Sequence, residues 1–233
     1  MNQNRVNRHS FSVTFVVLAA VFCVCIILSN LMEIKTIDLG FFTLTAGVVV
    51  FPVSYIINDC IVEVYGFAKA RLVIWLGFAT SLMAALLLQL AIWLPGGADW
   101  TGQEAMTMVY GSVPRIMCAS FAAFLSGSMI NAYVMSRMKR SMGGRRFSLR
   151  AIVSSLWGEG VDSIIFFPLA FGGVLPWNTI VSLIVTQALL KTAYEVVILP
   201  VTCRVVKKLK LMEESDVTDD DSLSYKWWKI NEL

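Results

Sequence analysis

The sequence predicts an all-α integral membrane protein with six transmembrane helices and both termini in the cytoplasm. Three observations carry that expectation. Of 233 residues, 57% are hydrophobic and 15% charged, with a mean hydropathy of +0.71, whereas soluble domains carry nearer a quarter charged residues. Six apolar runs (13–29, 42–57, 72–94, 116–135, 152–171 and 179–201) reach or approach the roughly 20 residues a helix needs to cross a hydrocarbon core. Lysines and arginines fall mostly between alternate runs, as they do when basic loops stay in the cytoplasm.

In chain order, the first run follows Arg5 and Arg8 and so looks like a signal peptide. It is longer than a secretory apolar core and no small-x-small cleavage site follows, so it reads as a retained span. Only Lys35 separates runs one and two, and Lys69 and Arg71 separate two and three. The loop after run three has Asp99 and Glu104 but no basic residue. Run four carries Ala119, Ala123, Gly127 and Asn131 at four-residue intervals, a small-residue row that lets helices approach closely. The loop "RMKRSMGGRRFSLR" is strongly basic, the turn "GGVLPWN" is uncharged, and run six is followed by Arg204, Lys207, Lys208 and Lys210. Residues 1–12 form a cytoplasmic leader and 13–210 the transmembrane domain. Residues 211–233 form an acidic tail, expected to be disordered, with Trp227 and Trp228 at the membrane interface.

The net charge of +3 belongs to these loops, so it points to anionic lipid and not to nucleic acid. Cys23, Cys25, Cys60, Cys118 and Cys203 are odd in number, lie in or beside apolar runs and form no CxxC pair, which predicts neither disulfides nor a metal site. His9 is the only histidine, and there is no HExxH, P-loop or GxSxG. The chain is therefore not expected to be an enzyme or to hold a cofactor.

The informative residues are ionisable groups inside apolar runs: Asp59 and Glu63, Arg115, Glu159 and Asp162, Lys191 and Glu195. Such groups are expensive in a bilayer and usually face the bundle interior. The pairs recur at i+4, i+3 and i+4, so each occupies one helix face. Phe51, Tyr55, Asp59 and Glu63 form one such row, Glu159, Asp162 and Phe166 a second, and Gln187, Lys191 and Glu195 a third. Lys191 and Glu195 alone could be an internal salt bridge. Together, five negative groups face two positive ones, an acidic interior that needs protons, water or a donor-rich ligand. At 1.5 Å per residue Lys191 lies about 18 Å down its span and Glu159 roughly 13 Å up the opposite one, so they can meet near the midplane. Asp59 and Glu63 fall toward the cytoplasmic half, and Arg115 sits near the outer surface. Asn131 reads equally as an interhelical hydrogen bond or a ligand contact.

"TAGVVVFPVSYIINDCIVEVYG" followed by "AKAR", then "SLWGEGVDSIIFF" and "LLKTAYEVVILPVT", resembles the queuosine precursor transporter family, also called the vitamin uptake transporter family. Its pattern falls on Phe51, Pro52, Ser54, Tyr55, Asp59, Glu63, Tyr65, Gly66 and Arg71, and Ser29–Asn30 looks like the end of its first span. The resemblance implies a multi-pass protein of the bacterial inner membrane that takes up 7-cyano-7-deazaguanine, 7-aminomethyl-7-deazaguanine, or both. A guanine-like edge suits a buried carboxylate. Its O6 would take a donor from Lys191, Asn131 or Gln187, and the flat ring would stack on Phe51, Tyr55, Trp157 or Phe166. A homodimer is left open. Two other classes compete: a proton or cation channel, which the acidic excess would serve, and a non-transporting scaffold recruiting a partner through its tail.

Overall fold

The computed structural model describes residues 11–32, 35–38, 43–111, 114–173, 176–218 and 226. The expectations for Arg5, Arg8, Trp227 and Trp228 lie outside the described residues. Helix α1 spans Val13–Met32. Two three-residue strands follow, β1 (Thr36–Asp38) antiparallel to β2 (Thr43–Thr45), with Thr36 opposite Thr45. Then come α2 (Phe51–Tyr65), α3 (Phe67–Trp93), a short α4 (Gln103–Met106), α5 (Pro114–Ser141), α6 (Phe147–Phe171) and α7 (Trp177–Glu213). Six helices among the described residues are long and apolar enough to cross a membrane. The all-α membrane fold holds, with a short two-stranded ribbon beside the helices.

The second span departs from its expected bounds of 42–57. Residues 43–45 pair with 36–38, and a 3-10 turn over Ala46–Val49 precedes the helix. Pro52 sits in the first turn of α2, where its missing N–H costs no hydrogen bond and its fixed φ starts the helix. The helix then runs past Asp59 and Glu63 to Tyr65, because both carboxylates find partners inside the bundle. Gly66 ends it at φ 86°, ψ 171°, a conformation open essentially to glycine, and turns the chain directly into α3.

Helix α2 is the axis of the bundle. It packs on α1, α3, α5 and α7, and 13 of its 15 residues are buried. Around it the outward faces are apolar: Val17, Val21 and Val24 on α1, Leu86 and Leu90 on α3, Ile164 on α6, Val185 and Leu189 on α7 are all exposed. Apolar residues outside and charged ones inside is the arrangement that lipid as solvent requires. The most extensive contact is between α5 and α6, joined by a turn through Gly143 and Gly144, both at positive φ. The row Ala119, Ala123, Gly127 and Asn131 faces inward as its spacing predicts. Gly127 meets Gly158 of α6 so closely that a Cβ on either would lie 2.8–2.9 Å from the other's carbonyl oxygen. Helix α7 runs 37 residues, about 55 Å at 1.5 Å per residue, so it extends well past a hydrocarbon core. The expected boundary at Lys210 falls inside this helix.

Candidate substrate site

The row Phe51, Tyr55, Asp59, Glu63 lies along α2 as its spacing predicts, but its two carboxylates do different things. Glu63 belongs to an ion-pair network at the basic end of the bundle. Its carboxylate takes a two-pronged bond from Arg150 of α6, with Nη1 to Oε2 at 2.5 Å and Nη2 to Oε1 at 3.0 Å. Lys210 of α7 donates to Oε1 at 2.6 Å. Lys139 of α5 donates to the Glu63 backbone carbonyl. The two-glycine turn aims the arginine, because Arg150 also donates to the carbonyls of Gly144 and Arg145. Planar guanidinium on carboxylate is among the strongest buried pairings. Arg150, Lys139 and Lys210, read from sequence as loop anchors, are thus the partners that let Glu63 be buried.

One turn away a second cluster converges from four helices. Asn131 Nδ2 donates to Asp59 Oδ1 at 2.7 Å, joining α5 to α2. Lys191 Nζ donates to Asp162 Oδ2 at 3.0 Å, joining α7 to α6, so the ion pair crosses between helices. The same ammonium stands 3.8 Å over the Phe51 ring, and Phe51 and Tyr55 ring centroids are 5.4 Å apart. Thr192 Oγ1 donates to Glu159 Oε2 at 3.1 Å. Glu195 lies beside Asp59 and Ser155. The Tyr55 hydroxyl has Asp162, Glu159, Glu195 and Asp59 as its electrostatic neighbours. It sits over the Gly127–Gly158 crossing, where a Cβ on Gly127 would come within 2.6 Å of Oη. Gln187, also buried, is one turn from Lys191.

Other expected site residues have neighbours of their own. Arg115 is exposed and donates to the carbonyls of Leu169 and Gly172 at 2.6 and 2.5 Å, closing the C-terminal end of α6. Trp157 is 61% exposed on the outer face. Phe166 packs on Phe167 and Phe171. Asn30 accepts a hydrogen bond from Ser120 at 2.7 Å, joining α1 to α5. Three cluster members escaped the sequence reading. Ser155 precedes Glu159 by one turn, which the four-residue rule could have found. Thr192 follows Lys191 directly, and Gly158 is visible only once α5 and α6 are seen to cross.

The cluster is short of donors. Asp59 Oδ2, Glu159 Oε1, Glu195 Oε2, Asn131 Oδ1, Tyr55 Oη and Ser155 Oγ are buried without a hydrogen-bond partner among the described residues. Orphaned buried polar atoms are costly and rare, and here most are acceptors. Four buried carboxylates, Asp59, Glu159, Asp162 and Glu195, share the cluster with Lys191, whose ammonium pairs with Asp162. Such a site can bind a flat ligand rich in N–H donors, with an aromatic floor from Phe51 and Tyr55.

The model of the family described as "Putative vitamin uptake transporter" matches residues 45–205, which carry α2 through most of α7. A "Probable queuosine precursor transporter" of Bacillus subtilis (strain 168) is 30% identical over 174 residues, 74% of this chain and 76% of its own. A "Queuosine precursor transporter" of Escherichia coli (strain K12) is 29% identical over 141 residues, 60% of this chain and 61% of its own. No solved structure matches. With the family match covering well over half its length and all six apolar helices in place, the chain is a multi-pass membrane transporter, not an enzyme, and belongs to the vitamin uptake transporter family.

Proposed function

We infer that the protein imports 7-deazaguanine precursors of queuosine, 7-cyano-7-deazaguanine, 7-aminomethyl-7-deazaguanine or both, across the bacterial inner membrane, with both termini in the cytoplasm. The observation that carries this reading is the set of buried acceptors left without donors around the Lys191–Asp162 pair. The N1–H and exocyclic amine of a guanine-like edge are two donors held side by side, which one carboxylate can accept together. Glu159 and Asp162 are the carboxylates placed for that edge. Lys191 reaches the carbonyl oxygen, and the ring lies on Phe51 or Tyr55. The names of the relatives agree with this substrate class. The basic end of the bundle, with Lys139, Arg150 and Lys210, faces the cytoplasm under the positive-inside rule. A proton or cation channel would also use the acidic excess, but has no need of an ammonium stacked on an aromatic ring in the pathway.

The test is uptake by cells that neither synthesise these precursors nor carry another importer. Expression is expected to restore queuosine in their tRNA when either deazapurine is supplied at low concentration, and Lys191→Met is expected to abolish the rescue at equal membrane abundance. Rescue by neither compound would refute the substrate assignment, and conductance without added purine would favour the channel.

A further inference from the structure

Asp59 and Glu195 form a distinct unit within the cluster. Both are buried, at 0% and 2% exposure, and they face each other across the α2–α7 contact. Asp59 Oδ1 is held by Asn131, while Asp59 Oδ2 and Glu195 Oε2 have no partner among the described residues. Among the described residues neither carboxylate has a cation as its electrostatic partner. From α2 they face Tyr55, Cys60 and Glu63. Glu63 is a carboxylate already neutralised by Arg150 and Lys210. From α5 comes Asn131, a neutral amide. From α6 come Ser155, a hydroxyl, and Glu159, a further acid. From α7, Lys191 is one turn from Glu195 but is engaged by Asp162 and the Phe51 ring.

Two buried carboxylates side by side, each raising the cost of charging the other, are an arrangement suited to taking up one proton and giving it back. Resting on the transport reading above, we propose that Asp59 and Glu195 are the proton-coupling site of a symporter. One proton enters the pair from the outer side with each substrate molecule and is released to the cytoplasm when the bundle reopens there. The placement suits that role. The pair adjoins the substrate carboxylates through Glu159, and Asp59 is one helical turn from the Glu63 network at the basic end. Its two members sit on α2 and α7, so a movement of α7 that parts the two carboxylates would release the proton. For a neutral substrate such as 7-cyano-7-deazaguanine, each cycle moves one positive charge inward.

The experiment uses the purified full chain in proteoliposomes, with radiolabelled 7-cyano-7-deazaguanine and an internal pH dye. Two measurements are compared: exchange of internal for external substrate at equal pH, and net uptake under an acid-outside gradient. The wild type is expected to exchange, to accumulate substrate above the external concentration under the gradient, and to acidify the lumen only when substrate is present. Glu195→Gln, isosteric and uncharged, is expected to lose accumulation above equilibrium and substrate-dependent acidification of the lumen, so that its ratio of gradient-driven uptake to equal-pH exchange falls well below that of the wild type. Glu195→Asp is expected to restore it. Exchange by the wild type with no response to the gradient would overturn proton coupling while leaving the transport reading intact. Absence of exchange and of binding in the wild type would overturn both. Loss of exchange in Glu195→Gln, in protein of unchanged melting temperature, would assign the pair to substrate binding and overturn the proposal.

Discussion

Asp59 and Glu63 stand four residues apart on one helix face, yet one is neutralised and the other is not. The spacing was legible in the sequence; the difference was not, because it depends on which side chains other helices deliver. Arg150, Lys139 and Lys210 lie in segments that read as cytoplasmic loops, and only the fold bends them back onto the end of α2. The distinction has a measurable consequence. Glu63→Gln leaves Arg150, which is fully buried, with half its bidentate partner and no opposing charge. Breaking such a pair from one side costs on the order of 3–5 kcal/mol. Glu159→Gln removes a charge that accepts a hydrogen bond from a threonine hydroxyl and forms no close ion pair among the described residues, and burying an amide costs less than burying a charge. Thermal unfolding in detergent is therefore expected to show a large loss for Glu63→Gln and little or none for Glu159→Gln. Equal melting temperatures for the two variants would mean that the Glu63 network does not hold the bundle together.

At the scale of the elements, the number of spans and the inward faces were readable because apolar length and i+4 spacing are local properties. The bounds of α2 were not. Residues 42–50 are apolar enough to be helical, but the pairing of β2 with β1 claims 43–45 and Pro52 fixes where the helix starts. The interval Ala119–Ala123–Gly127 announced a close approach, and its partner Gly158 needed the second helix to be seen. Here the backbone itself is the obstacle to substitution. In Gly127→Ala the added methyl would lie 2.6 Å from Tyr55 Oη, 2.8 Å from the Gly158 carbonyl and 2.9 Å from Asp162 Cβ. Overpacking of this kind costs about 1–3 kcal/mol, and it pushes on Tyr55 and Asp162 at once. The variant is expected to lose substrate affinity as well as stability, whereas Gly160→Ala, where nothing lies within 4 Å of the added atom, is expected to behave as wild type. Wild-type affinity in Gly127→Ala would show that α5 and α6 can separate without disturbing the site.

For the whole molecule, the chain past α7 returns to the bundle. Ser215 Oγ and the Val217 N–H both donate to the Val64 carbonyl, and Asp216 pairs with Lys139 at 2.6 Å and Lys210 at 3.0 Å. Burial alone would raise the Asp216 carboxyl, but the Lys139 and Lys210 ammoniums outweigh it and hold the group below the usual aspartate range. A depressed native value means that docking is favoured above the ordinary pKa and lost as pH falls through the native one. Proteolysis after residue 213 is thus expected to be slow at neutral pH, and faster in acid or in Asp216→Asn; equal rates in all three would contradict the docking. This return contact was invisible in an acidic, low-complexity stretch, since its partners are lysines far away in sequence. Orientation is tested by cysteine labelling in a cysteine-free background: Thr101→Cys and Ser141→Cys, at opposite ends of the bundle, are expected to label from opposite sides of the membrane. The central claim is that the undersatisfied carboxylates inside the bundle hold a guanine-like edge, and a binding titration of the purified protein with 7-cyano-7-deazaguanine, 7-aminomethyl-7-deazaguanine, guanine and adenine tests it most directly. Glu159→Gln places a donor against the ligand's N–H and should cost about 2–4 kcal/mol, roughly 30- to 1000-fold in affinity. The account predicts tight binding of a deazaguanine, rejection of adenine and that loss in Glu159→Gln at an unchanged melting temperature; unaltered binding in both Glu159→Gln and Asp162→Asn would contradict it.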